Sequence, residues 1–171
     1  LHTNMKILKR YVRDIFYGAN DGIVTTFAIV TGSVGASLSH NVILILGFAS
    51  LIADGFSMAA SNYLGMRSEK EIAHMSGESH DGSLYKPAAF TFFSFILAGA
   101  LPLLPFVFGG GGFVIAAIAT GAALFTIGSV LGHFVLHRAW FIWGFEMLLV
   151  GGVASSIAFA IGRFIGQFVG A

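Results

Sequence analysis

The sequence predicts an all-α membrane protein with five transmembrane helices, and three observations carry that prediction. Of 171 residues, 56% are hydrophobic and only 10% charged, where a soluble domain carries about 25% charged residues. A mean hydropathy of +0.86 and Phe at 18 positions point the same way. Five apolar stretches also follow one another along the chain, each long enough for the roughly 20 residues that a helical span needs.

The first span covers about 14–38 and closes at "SLSHN". Its apolar run is too long, and holds too much acid, for a cleavable signal peptide. The second covers about 41–66 and opens into the polar loop "RSEKEIAHMSGESHDGSLYK", residues 67–86. The third covers about 87–108 and ends at "FGGGG", the fourth 113–136 and ends at "LHR", and the fifth 139–169. This is a single transmembrane domain, 1–171, with one sizeable loop. Gly18 with Gly22, and Gly162 with Gly166 and Gly170, have the small-residue spacing that lets membrane helices approach closely. General packing accounts for such spacing; a subunit interface, where paired first spans bring their acids together, is the sharper reading.

Lysine and arginine set the orientation. Lys6, Lys9, Arg10 and Arg13 precede span one, Arg67, Lys70 and Lys86 follow span two, and Arg138 follows span four. The other two loops have neither residue type. The N-terminus is therefore expected in the cytosol and the C-terminus outside or in a lumen, with Arg163 snorkelling outward. A net charge of +1 argues against a nucleic-acid partner. With no cysteine, disulfides, thiolate metal sites and cysteine nucleophiles are excluded.

The chemistry lies in acids placed where hydrocarbon should be. Of the eight acidic residues, Glu69, Glu71, Glu78 and Asp81 fall in the loop and Asp14 at the inner edge of span one. Asp21, Asp54 and Glu146 lie deeper, where an ionised side chain costs about 2.5–3.5 kcal/mol on insertion scales. In span one, Asp14, Asp21 and Thr25 share a helical face. In span two, Asp54, Met58 and Asn62, spaced i, i+4, i+8, are again expected on one face, flanked by Ser57 and Ser61. No Lys or Arg lies inside spans one to four, so those spans offer the acids no basic partner. A divalent cation would neutralise them, and so would protons. A site that holds one or the other is the kernel of an antiporter. Oxygen ligands suit Mg²⁺, Ca²⁺ or Mn²⁺, and a thioether shifts the preference toward softer metals such as Fe²⁺. Asp21 and Asp54 are the proton-coupling candidates.

Plainer readings stand beside these. A lone methionine such as Met58 is usually packing, and Glu146 can be a satisfied buried acid. The loop, with Glu69, Glu71, His74, Met75, Glu78, His80 and Asp81, is either an ordinary solvated segment or a weak metal-collecting site. His133 and His137 have metal-binding spacing but fall near the inner end of span four. A passive divalent-cation channel is the main rival to an antiporter. An intramembrane aspartyl protease using Asp21 and Asp54 is a more distant one.

The stretches "YGANDGIVTTFAIVTG", "IADGFSMAASNYLGMRSEKE", "ALPLLPF" and "FEMLLVGGVASSIAFAIGR" occur in order from about Arg13 to Gly166. Together they resemble the vacuolar iron transporter family. The resemblance implies a homodimer of five-helix subunits, without enzymatic activity or bound cofactor, that exports Fe²⁺, and often Mn²⁺, from the cytosol in exchange for protons. It implies a metal path at the dimer interface, lined by Asp21 and Met58, and a vacuolar-type or prokaryotic cytoplasmic membrane. Plant-type members use a Glu where this chain has Ser50; Asp54, one turn before Met58, is the expected replacement. They also carry a cytosolic metal-binding helical domain between spans two and three. The 20 residues 67–86 cannot hold one, which makes this a short form.

Overall fold

The computed structural model describes residues 2–77, 82–109, 112–135 and 139–169. Glu78, His80, Asp81, His137, Arg138 and Gly170, all named above, lie outside the described residues. Every regular element is helical: α1 (His2–Gly35), α2 (His40–Met75), α3 (Tyr85–Gly99), a 3₁₀ turn (Leu101–Leu103), α4 (Leu104–Val107), α5 (Gly112–Val130), a π turn (Leu131–Val135) and α6 (Trp140–Val169). Among the described residues, four helical stretches are long and apolar enough to cross a membrane: His40–Met75, Tyr85–Val107, Gly112–Phe134 and Trp140–Val169.

The remaining long helix, α1, has 34 residues, but Asn20, Asp21, Thr25, Thr26, Thr31 and Ser33 dilute its apolar run. Its position explains why that is tolerated. α1 packs against α2, α3, α5 and α6, so much of its surface meets protein instead of lipid. Thr26, Thr31 and Ser33 are buried, and the Thr31 hydroxyl donates to the Ala28 carbonyl at 3.0 Å. Hydroxyls folded back on their own helix satisfy themselves without a partner. The outer helices show the opposite pattern. Ile45, Phe56, Leu97, Ile118, Phe145 and Leu149 are exposed, as lipid-facing side chains should be.

The helix boundaries differ from the hydropathy boundaries for identifiable reasons. α2 runs nine residues beyond the apolar stretch, because Arg67, Glu69, Lys70 and Glu71 are good helix formers even where no membrane needs them. It stops at Gly77, whose φ of +78° lies in the left-handed region. The third span is not one helix. α3 ends at Gly99, and Pro102 and Pro105 tighten the chain into a 3₁₀ turn before the short α4, since proline removes a backbone donor.

The core sits toward the α1–α2 turn. Phe27 and Val30 of α1, Ile43 and Leu51 of α2, Phe95 of α3, Leu103, Phe106 and Ala116 form one buried cluster. His40 reinforces that end, its Nε2 donating to the Phe106 carbonyl at 2.6 Å. The buried residues of α2, Ile43, Gly47, Leu51 and Gly55, all fall in its first half. Past Gly55 the helix is exposed or half-buried, and the bundle opens toward the α2–α3 loop.

The described glycines of both motifs, Gly18 with Gly22 and Gly162 with Gly166, pack inside the chain. A Cβ on Gly18 would meet the Thr91 backbone and the Ser94 hydroxyl, and one on Gly22 would meet the Phe95 backbone. These glycines seat α1 on α3. Gly162 and Gly166 face Gly32 and Ala36 and seat α6 on α1. The expectation that Gly18 and Gly22 bring two copies of α1 together is therefore corrected. The spacing announces a close helix crossing, and here the partner is the chain's own α3.

Candidate functional site

α2 carries most of the polar groups, but they do not form a single face. Steps of four residues advance 400° around a helix of 3.6 residues per turn, so an i, i+4, i+8 series drifts by about 80°. Asp54 is exposed, whereas Met58 and Asn62 are half-buried. Asp54 points away from the subunit, Met58 packs against the buried cluster, and Asn62 turns toward α1 and α3. Ala49, Ala53, Ser57 and Ser61 surround Asp54 on the exposed side. The Ser50 hydroxyl donates to Asp54 Oδ2 and so orients the carboxylate.

On α1, Asp21 is half-buried and within electrostatic reach of Asp54. Thr25, one turn on, spends its proton on the Asp21 backbone carbonyl at 2.6 Å, leaving its oxygen able only to accept or to ligate. The neighbouring Asn20 Oδ1 is buried and has no hydrogen-bond partner.

One turn from Met58, the Asn62 amide bridges three helices. Its Nδ2 donates to Asp14 Oδ1 at 3.0 Å and to Thr91 Oγ1 at 2.7 Å. Thr91 is fully buried and passes its own proton to the Pro87 carbonyl at 3.0 Å. Both amide hydrogens are thus used, and only Oδ1 of Asn62 is left to act as the ligand the sequence suggested. Thr91 was invisible to sequence reasoning, because a threonine inside an apolar helix carries no distinguishing pattern.

These groups border a cavity of about 620 Å³ between α1, α2 and the start of α3. Its wall includes Asp14, Met58, Ser61, Asn62, Met66 and Glu69. Asp21 is not part of that wall. Glu71 lies outside it and pairs with Arg67 at 3.2 Å on the exposed surface. Glu146 is exposed on α6, a helix that packs on α1 and α5, and is likewise absent from the cavity. Among the described residues, no three His, Asp or Glu side chains converge as a metal-binding group. Arg163 is exposed in a separate cavity of about 380 Å³ beside the last residues of α1, where the negative end of that helix dipole favours a cation.

The family model described as the VIT family matches residues 12–82 and 74–163. The chain belongs to the VIT family. The two matched pieces meet in the stretch joining α2 to α3, where the short loop lies. A vacuolar iron transporter from Toxoplasma gondii is 44% identical over 71 residues, covering 42% of this chain but 23% of that protein. Vacuolar iron transporter 1 of Arabidopsis thaliana is 26% identical over 219 aligned positions, covering 90% of this chain and 86% of the relative. Vacuolar iron transporter homolog 4 of the same plant is 28% identical over 174 positions, covering 92% and 85%. An alignment of 219 positions over a 171-residue chain means that transporter 1 carries dozens of residues this VIT chain lacks; homolog 4 matches it almost length for length. With its apolar helices, this VIT-family member is an integral membrane protein.

Proposed function

We propose that this chain is a proton-coupled antiporter that exports a divalent transition metal, Fe²⁺ or Mn²⁺ or both, from the cytosol. It works as a homodimer of five-span subunits with the metal path between them. The observation that carries the reading is the pair Asp21 and Asp54: two carboxylates within electrostatic reach and inside stretches that read as spans, one half-buried on α1 and the other exposed on α2. Among the described residues the one ion pair is Arg67 with Glu71, so neither acid has a basic partner there.

Two carboxylates cannot both stay ionised in a dry site without a counter-charge. A divalent cation discharges them together and releases protons; proton return releases the cation. Among the described residues one subunit offers no three-ligand group, and a two-fold axis doubles every ligand. Two copies of Asp21 and Asp54 supply the carboxylate donors, and Met58, on the cavity side of α2, supplies a thioether along the path. Ala49, Ala53 and Ser57 leave room for a second α2 to approach. In this reading α1 is the fifth span, the N-terminus and loop 67–86 are cytosolic, and Asp14 and Glu69 draw metal into the cavity.

Proteoliposome flux with Fe²⁺, Mn²⁺, Co²⁺ and Zn²⁺ across an imposed pH gradient tests this. Metal movement should run uphill against its own gradient when protons run downhill, and each metal pulse should move protons the other way. Metal flux indifferent to the proton gradient would refute antiport and indicate a channel.

A further inference from the structure

We propose that Asn62 is a positioning residue, whose amide holds the inner half of α2 to α1 and α3 and so sets the width of the cavity that Asp14 and Met58 line. The proposal rests on the transport reading above only for its flux arm.

Packing is asymmetric along α2. Its buried residues end at Gly55, and beyond that point Ser61, Gly65, Met66, Glu69 and Lys70 line the cavity instead of packing against a neighbour. α1 and α3 need no such tie, because Gly18 already places the two backbones in close contact beside Thr91 and Ser94. Beyond Gly55, Tyr63 packs on Tyr85 at the start of α3, ring centroids 5.1 Å apart, and the Asn62 amide reaches α1 and α3 at once.

The directions of the bonds admit one arrangement. The Thr91 proton goes to the Pro87 carbonyl, so Thr91 offers Asn62 only an acceptor. Asp14 Oδ1 likewise accepts from the amide nitrogen. Turning the amide over would set its oxygen against two acceptors. Each bond thus fixes the next, from Asp14 through Asn62 and Thr91 to Pro87. One of them ends on an acidic side chain, the stronger class of hydrogen bond when that acid is ionised, and Thr91 is sealed from water.

The chain has no cysteine, so spin labels can be placed cleanly at Ser68→Cys on α2 and Ala89→Cys on α3. Both positions are exposed and neither lines the cavity. Labelled protein is reconstituted with excess unlabelled protein, so that only pairs within one subunit are read. The parent should give a narrow distance distribution. Asn62→Leu should broaden or lengthen it, and so should Thr91→Val, a change of similar volume that removes the hydroxyl, both the acceptor for Asn62 and the donor to the Pro87 carbonyl. Thr91→Ser keeps the hydroxyl and should match the parent. In flux assays, Asn62→Leu should raise KM for Mn²⁺ about tenfold, the ratio that one hydrogen bond to a charged group supplies, with the maximal rate changed less than about twofold. Parental distances in Asn62→Leu or Thr91→Val would overturn the proposal, as would Thr91→Ser behaving like Thr91→Val. The distance arm requires no transport, so absence of flux in the parent refutes the transport reading alone.

Discussion

Gly22→Ala tests whether the α1–α3 crossing is what the glycine spacing encodes. The added methyl group would lie 3.0 Å from Phe95 Cα and inside contact distance of the Phe95 carbonyl. Those atoms are backbone and cannot rotate aside. From the other side, a Cβ on Gly99 would lie 2.7 Å from the Gly22 carbonyl, so neither helix can slide to relieve the other. Overpacking costs about 1–3 kcal/mol, and a backbone clash on both helices belongs at the upper end. Replacing glycine with alanine in a helix returns about 1 kcal/mol, leaving a net loss of about 2 kcal/mol. Gly152→Ala on α6 is the matched control. Nothing lies within 4 Å of its added methyl, so it keeps the propensity gain, and the two variants should differ by about 3 kcal/mol.

Unfolding in mixed detergent micelles, followed by circular dichroism, measures that difference. Repeating it across a range of protein concentrations separates the alternatives. A clash inside the subunit lowers the transition at every concentration. A clash between subunits would instead move the monomer–dimer balance and spare the dilute protein. Equal stability for Gly22→Ala and Gly152→Ala would refute the packing argument.

Three further outcomes follow from the site. Asp21→Asn, nearly the same in size and still helical, should reduce metal-driven proton flux in liposomes to background while leaving the unfolding transition near that of the parent; near-normal flux would remove Asp21 from the mechanism. Met58→Leu keeps volume but loses the thioether, so competition assays should show uptake of Fe²⁺ weakened more than that of Mn²⁺; equal losses would deny the sulfur a selective role. Glu71→Gln breaks an exposed i, i+4 ion pair worth about 0.3–0.5 kcal/mol and should change neither stability nor flux measurably; a large flux defect would place Glu71 on the metal route.

Much of the architecture was legible because the membrane imposes it. Apolar runs near 20 residues read as spans, and the structure places helices over the five stretches, four of them long and apolar enough to cross a membrane. Where hydropathy and helicity part company, the sequence spoke only to the first. The extension of α2 to Met75 rests on helix formers in water, and the break at Leu101–Leu103 rests on two prolines inside an apolar run. Asp21, Asp54 and Met58 stood out because charge and sulfur are unusual against that background. Thr91 did not, since its importance comes from a proton passed to Pro87 and an amide received from another helix. Periodicity along one helix reports spacing, never the partner, which is why Gly18 and Gly22 suggested a second copy of α1 and packed on α3 instead.

The same distinction explains how one chain keeps two kinds of polarity apart. Buried polar groups such as Thr31 and Thr91 are satisfied by carbonyls of their own helices, and Asn62 by two neighbours; these groups hold helices in place. Asp54 is different. Its hydrogen bond comes from Ser50 on its own helix, which orients the carboxylate without neutralising it, and its surroundings are small, exposed side chains. In the resemblance to plant-type members, the Ser50 position is the one that carries a carboxylate. Here the hydroxyl at that position donates to the acid one turn away, so the carboxylate is held in place by its own helix and keeps its charge.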